Sequence, residues 1–76
     1  MKIYETSDLG LTASLLSSGF EVIKLIKAEK PRVNFQFKDS KRLKEIIDKY
    51  WRKELNVEPQ EFFMHVKQLK NRIYNL

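Results

Sequence analysis

The chain has 76 residues, a formal net charge of +5 and no cysteine. This length leaves room for a single small domain, residues 1–76, with one hydrophobic core. The lack of cysteine excludes disulfide bonds, thiolate catalysis and cysteine-ligated zinc, and it favours a reducing, cytoplasmic location. Glu5 and Asp8 occur before any apolar run can form at the start of the chain, and no stretch approaches the roughly 20 apolar residues that span a bilayer. We therefore expect a soluble protein with no signal peptide and no membrane-spanning segment.

The first predicted elements are a short strand at Lys2–Glu5 and a helix that starts near Leu9. Thr6, Ser7 and Asp8 each offer an oxygen that can accept a hydrogen bond from the first turn of this helix. Gly19 supplies the left-handed residue that commonly follows a helix end. The apolar residues of the helix lie on one face or beside it: Leu9, Ala13 and Leu16 on the face, with Leu11 and Leu15 beside them.

Two β-rich segments follow and predict a hairpin. Phe20–Ala28 is apolar on both faces, which indicates either a strand covered on both sides or one bent by a bulge. Glu29–Pro31 interrupts the pattern. Arg32–Lys38 alternates between apolar and polar residues, which is typical of an antiparallel strand with one buried face. The buried face would hold Val33, Phe35 and Phe37, and the open face Arg32, Asn34, Gln36 and Lys38.

Two amphipathic helices complete the chain. The first is predicted at Lys41–Glu54, with Asp39 or Ser40 as its cap. Its buried stripe is Leu43, Ile46, Ile47 and Tyr50, with Trp51 at the border. The second is predicted at Pro59–Leu76, because proline suits the first helical position. Its apolar seam is Phe62, Val66, Leu69, Ile73 and Leu76, and we expect Phe63 to widen it.

The predicted order of elements is therefore β-α-β-β-α-α. It favours an α+β fold in which a small three-stranded sheet has its helices packed on one face. The hairpin fixes the pairing of the second and third strands, whereas the partner of the first strand stays open.

The residues offer little catalytic chemistry. The single histidine, His65, is expected on the side of the last helix away from much of the seam. No cysteine or second histidine accompanies it, so a metal site or a catalytic triad is not expected. Gly10 and Gly19 lie far apart and form no phosphate-binding loop. We expect a non-enzymatic domain without a cofactor or metal.

The charge distribution favours a polyanionic partner. Residues 1–40 carry six Lys and Arg against five Asp and Glu, whereas residues 41–76 carry nine against five. Basic side chains bind phosphates with release of counterions. We therefore favour contact with DNA or RNA through the basic second half, and a solvated, functionally silent charge is the alternative. The candidate residues are Lys49, Arg52, Lys53, Lys67, Lys70 and Arg72.

A different class of function remains open, namely a protein-interaction or homo-oligomerisation module that uses the last helix. The 4-3-4-3 spacing of the seam resembles a coiled coil, but it spans barely two heptads, so packing in the core explains most of it. The candidate contact residues for a protein partner or a homodimer are Trp51, Phe63 and Tyr74.

The chain resembles a family of small prokaryotic and viral domains of unknown function. The resemblance rests on short segments along almost the full length: Thr6–Leu9 with Ala13 and Leu15–Leu16, Gly19–Phe20, Phe35–Asp39, Tyr50–Trp51, Val57–Phe62 and Leu69–Tyr74. It departs at Glu58, where an asparagine-like cap would be expected before the proline. The resemblance implies a small stand-alone protein associated with mobile elements, and it implies no activity and no site residues.

Overall fold

A computed structural model describes residues 2–28 and 32–76 of the chain, and within them it has three strands and three helices. The elements are β1 (Ile3–Thr6), α1 (Leu9–Ser17), β2 (Lys24–Lys27), β3 (Val33–Lys38), α2 (Lys41–Trp51) and α3 (Pro59–Tyr74). This confirms the predicted α+β fold and the order β-α-β-β-α-α. The predicted interruption at Glu29–Pro31 lies outside the described residues.

The three strands form one antiparallel sheet in the order β1-β3-β2. The strand with the clearest alternation, β3, is therefore central, with Thr6 of β1 and Leu25 of β2 on either side of Phe35. Its apolar residues Val33, Phe35 and Phe37 are buried, as predicted. The position of β1, which the sequence left open, is the edge opposite to β2.

The second strand is shorter than predicted. Only Lys24–Lys27 of the segment Phe20–Ala28 forms a strand, and neither face of it is fully buried. The N–H of Ile23 donates to the Gln36 carbonyl (2.7 Å), and Gln36 also pairs with Lys24. Two residues thus oppose one, as in a β-bulge. The predicted segment Phe20–Ala28 is apolar on both faces because its first residues form the connection from α1. In this connection, Phe20 and Val22 pack against the core before the strand begins.

The first helix is the centre of the core. Its cap is Asp8, whose carboxylate accepts from the N–H of Leu11 (2.9 Å), and Gly19 follows its end with φ +96°. All five residues Leu11–Leu15 are buried, so the predicted single apolar face was too narrow. The hydroxyls of Thr12 and Ser14 donate to backbone carbonyls one turn earlier (both 2.8 Å), and these bonds offset the cost of burying them.

The two remaining helices pack their apolar stripes against this centre. In α2, Leu43 and Ile47 are buried while Ile46 and Tyr50 are half-buried, as predicted. The cap is Ser40, whose hydroxyl accepts from the N–H of Leu43 (3.1 Å). The helix ends at Trp51, three residues before the predicted end.

In α3, the seam is buried most deeply at Leu69, and Phe62, Val66 and Ile73 pack partly against the core. Leu76 lies beyond the helix and is exposed. The helix is capped by Glu58, whose carboxylate accepts from the N–H groups of Gln60 (3.0 Å) and Glu61 (2.9 Å). Glutamate therefore performs the capping role for which asparagine was expected.

Candidate nucleic-acid interface

The side of α3 that points away from the core carries aromatic and basic side chains together. Because successive residues turn by about 100°, the seam positions face inward and the positions beside them face outward. We call the following residues the outer face of α3: Gln60, Phe63, Met64, Lys67, Lys70, Asn71 and Tyr74. Every one of them is exposed.

The aromatic residues of this face are unusually accessible. Phe63 is 62% exposed and Tyr74 is 88% exposed, and Met64 adjoins Phe63. The expectation that Phe63 widens the buried seam was therefore wrong, because the side of α3 that packs on α1 ends at Phe62 and Val66. The Nζ of Lys67 lies 5.6 Å from the centroid of the Phe63 ring, in a cation–π arrangement.

The charge of this face has a single sign. From Phe62 to Leu76 the sequence contains no aspartate or glutamate. The carboxylate of α3 itself, Glu61, lies 3.9 Å from the Nε2 of His65 and outside the outer face. Among the described residues, none of the salt bridges involves Lys67 or Lys70. Both ammonium groups are thus available to an anionic partner.

The third basic candidate on α3 lies elsewhere. Arg72 lines a shallow hollow between the end of α3 and β2, together with Ile23 and Lys24 and with Asn71 from the border of the outer face. It is on the sheet side of the helix, whereas Lys67 and Lys70 point outward. The structure therefore does not bring the three cations of α3 together, although the sequence grouped them.

The candidates on α2 have carboxylates close by. We call Lys41, Glu45, Asp48 and Arg52, with Lys44 and Lys49 at its borders, the outer face of α2. Arg52 Nε lies 3.2 Å from Glu54 Oε1, and Lys44 Nζ lies 3.8 Å from Asp39 Oδ2. Lys53 follows the helix end with φ 62° and is exposed. Carboxylates near α2 consequently dilute its positive field. The pairs that helical spacing predicts for Glu45 and Asp48 are not among the salt bridges of the described residues.

The model of the family described as "Domain of unknown function (DUF5659)" matches residues 1–75. The chain belongs to the DUF5659 family. Comparisons with curated proteins and with solved structures give no match. The family resemblance expected from the sequence is thereby confirmed, and a prokaryotic or viral source stays a prediction.

The histidine of this DUF5659 domain does not point away from the seam. Its side chain is only 17% exposed, because position 65 lies one turn before Leu69 on the inner side of α3. The expectation of a surface histidine was therefore wrong. Within residues 2–28 and 32–76, no group of three or more His, Cys, Asp or Glu side chains is arranged to hold a metal ion.

A second titratable group of the DUF5659 domain lies where α2 meets the start of α1. Burial raises the pKa of Tyr50 above its usual 10.0, and the Asp8 carboxylate raises this pKa further. The Tyr50 Oη lies 2.8 Å from where a Cβ on Gly10 would stand, so glycine permits this close approach. The site is structural, since Tyr50 packs against the core.

The sequence identified four of the seven residues of the outer face of α3 and missed Gln60, Met64 and Asn71. All three lie off the seam by helical spacing, which is the signal that identifies them. No helix within the described parts of the chain is long and apolar enough to cross a membrane.

Proposed function

We propose that this DUF5659 domain is a non-enzymatic module that binds nucleic acid through the outer face of α3. The observation that carries the proposal is the coincidence, on one exposed helix face without carboxylates, of Phe63 and Tyr74 with Lys67 and Lys70. The chemistry of this face matches the two components of a nucleic acid. Ammonium groups neutralise phosphates, and aromatic rings accept the flat faces of bases.

The proposal ranks the six basic candidates. Lys67 and Lys70 make the direct phosphate contacts, because they are exposed and lie beside the aromatic rings. Lys49, Arg52, Lys53 and Arg72 contribute to the long-range positive field, since they lie on other surfaces or beside carboxylates. Phosphate contacts position a nucleic acid without reading its sequence, so we expect low base specificity. A cytoplasmic location, expected from the composition, is part of this proposal.

The test is a salt titration with a fluorescently labelled oligonucleotide, with binding followed by anisotropy. Two phosphate contacts predict that log K falls with log[salt] with a slope of about −1.4 to −1.8. The double variant Lys67→Gln/Lys70→Gln should abolish most of this slope. Its matched control is Lys41→Gln/Lys44→Gln, which removes the same charge from exposed positions of α2 that are not binding candidates and should keep most of the affinity.

Three results would contradict the proposal: no binding at low salt, binding that is indifferent to salt, or equal losses in the two double variants. Circular dichroism confirms that each variant is folded. All four lysines are exposed, so their replacement should not affect the core.

A second candidate function is association with a protein partner or with a second copy of the chain. The observation that favours it is the exposure of Trp51 (61%) together with that of Phe63 and Tyr74. Sedimentation equilibrium tests self-association: a dimer that Phe63→Glu converts to a monomer would support this candidate. Phe63 suits this test better than Ile73, because Ile73 packs against the core and its replacement by glutamate would unfold the monomer.

A further inference from the structure

We infer that the nucleic acid bound by this domain is single-stranded, with bases stacked on Phe63 and Tyr74 and the adjoining phosphates on Lys67 and Lys70. The inference rests on the proposed function and specifies its ligand. It follows from the arrangement of four side chains along one helix face, from their exposure and from the surfaces that each form of nucleic acid presents.

Each aromatic residue has a lysine one helical turn away. Phe63 precedes Lys67 by four residues, and Lys70 precedes Tyr74 by four residues. Residues four apart are neighbours on a helix surface, and the contact between Lys67 and the Phe63 ring shows this directly. The face therefore contains two ring-and-ammonium pairs, with the two lysines between the two rings.

Each pair matches one nucleotide. A base that stacks on Phe63 places its own phosphate within reach of Lys67, and the same relation holds for Tyr74 and Lys70. The rings are eleven residues apart, so they are separated by about 16 Å along the helix axis. With a spacing of about 3.4 Å per stacked nucleotide, this distance corresponds to roughly five nucleotides, and to fewer when the strand is extended.

Duplexes do not present the surface that these rings require. In a duplex the base faces are hidden in the stack, and a protein reaches only base edges and phosphates. Side chains that read base edges are mainly Arg, Lys, Asn and Gln. The outer face of α3 holds such residues, namely Gln60, Lys67, Lys70 and Asn71. A duplex would nevertheless leave the exposed rings of Phe63 and Tyr74 without a partner. An unpaired strand exposes base faces, and stacking on aromatic side chains is the usual means of binding it.

The low number of cations supports the same conclusion. With only two lysines on the face, the affinity for nucleic acid should depend weakly on salt concentration. Electrostatic attraction alone therefore cannot supply tight binding. The exposed rings of Phe63 and Tyr74 are the groups that add affinity independent of salt.

The first test compares a 12-nucleotide oligothymidine or oligouridine with a hairpin duplex at equal salt, by anisotropy on the full chain. The inference predicts that the single strand binds at least about tenfold more tightly, which is about one stacked base. Duplex binding that equals or exceeds single-strand binding would overturn the inference and leave the proposed function standing. The absence of binding to either would overturn both.

The second test removes the rings. Phe63→Ala and Tyr74→Ala should each weaken single-strand binding about 5- to 150-fold, the range reported by alanine substitution of stacking residues. The matched control is Trp51→Ala, which removes an exposed ring from α2 and should change binding less than about twofold. If both ring variants keep wild-type affinity while Lys67→Gln/Lys70→Gln loses it, the contact is with phosphate only and the inference is overturned.

The third test detects stacking directly. Trp51 is the only tryptophan, so the double variant Trp51→Phe/Tyr74→Trp places the only indole on the outer face of α3. A single strand should quench its fluorescence as it binds, and the parent with Trp51 should show no comparable quenching. Binding without quenching of the indole at position 74 would contradict stacking there.

Discussion

The helices α2 and α3 have similar inner faces and different outer faces. Each packs leucine and isoleucine against α1, with Leu43 and Ile47 in one and Leu69 and Ile73 in the other. On the outside, α2 alternates lysine and arginine with Glu45 and Asp48, whereas α3 has lysines beside exposed aromatic rings and no carboxylate after Glu61. Total positive charge therefore does not identify the binding face, since α2 carries more cations than α3. What distinguishes α3 is that its lysines lie beside exposed rings with no neutralising carboxylate, whereas the exposed ring of α2, Trp51, lies on a helix that also carries Glu45 and Asp48.

The inner faces should be equally important for stability. Leu43→Ala and Leu69→Ala should each lower the free energy of unfolding by about 2–5 kcal/mol, because each leaves a cavity in the core. Urea denaturation followed by circular dichroism measures this. Leu76→Ala is the control: its side chain is exposed, so we expect a change within about 0.5 kcal/mol. A Leu69→Ala variant as stable as the control would show that α3 is not packed as described.

The starts of the two helices offer a second comparison. Ser40→Ala and Glu58→Ala should each cost about 1 kcal/mol of unfolding free energy, since each removes the acceptor for N–H groups of a first turn. Glu58→Asn should retain the stability, because asparagine is a favoured cap. Equal stability of Glu58→Ala and the parent, measured by urea denaturation, would contradict a capping role for this carboxylate.

An exchange of carboxylates between the outer faces tests their difference directly. Asn71→Glu places a carboxylate four residues after Lys67 and should weaken nucleic-acid binding by about twofold, the size of a pair worth roughly 0.5 kcal/mol. Glu45→Gln/Asp48→Asn should strengthen non-specific binding by α2, because it exposes cations without carboxylates. Anisotropy at low salt measures both. If Glu45→Gln/Asp48→Asn leaves the affinity unchanged, neutralisation by these carboxylates is not the reason why α2 binds nucleic acid less well than α3.

Tyr50 lies on the inner face of α2, and its ionisation should lower the free energy of unfolding slightly at high pH. Because its folded-state pKa is raised above the unfolded value, the unfolded chain loses its proton first. The contribution of Tyr50 to the free energy of unfolding is therefore fully present below about pH 10. It is lost as the pH rises through the unfolded-state pKa and then the folded-state pKa. Urea denaturation between about pH 9 and pH 11 should show a smaller fall in Tyr50→Phe than in the parent. The control Tyr74→Phe should match the parent, and a Tyr50→Phe variant with the parent's full fall would contradict this assignment.

The sequence predicts the elements whose periodicity is simple. The alternation of β3 identifies its buried residues, and the stripe of α2 and the seam of α3 identify theirs. The late start of β2 at Lys24 was not predictable, because the apolar run Phe20–Ala28 has no feature that distinguishes strand residues from a connection packed on the core. A bulge in this run was one of the two predicted alternatives, and it is found at Ile23 and Lys24. The burial of all five residues Leu11–Leu15 of α1 was also missed, since Thr12 and Ser14 are polar and are satisfied by bonds to carbonyls one turn earlier.

The candidate surface was predicted in part. The line Phe63, Lys67, Lys70 and Tyr74 follows from helical spacing alone, and the structure shows these side chains exposed. Helical spacing already puts Arg72 on a different side of α3 from Lys67 and Lys70. The position of Arg52 and Lys53 relative to these lysines depends instead on how the two helices pack on α1. Arg52 also forms a salt bridge with Glu54. This contact was not predicted, because the sequence placed Glu54 within α2, whereas it lies beyond the end of the helix.

If the outer face of α3 binds nucleic acid, an amide chemical-shift titration should locate the contact there. A ¹⁵N-labelled sample is titrated with a short oligothymidine at low salt. We expect the largest shifts at backbone amides of the outer face of α3, around Phe63, Lys67, Lys70 and Tyr74, and small shifts along α2. Shifts concentrated on α2 or on the open face of the sheet, or no shifts at a saturating concentration, would contradict the account.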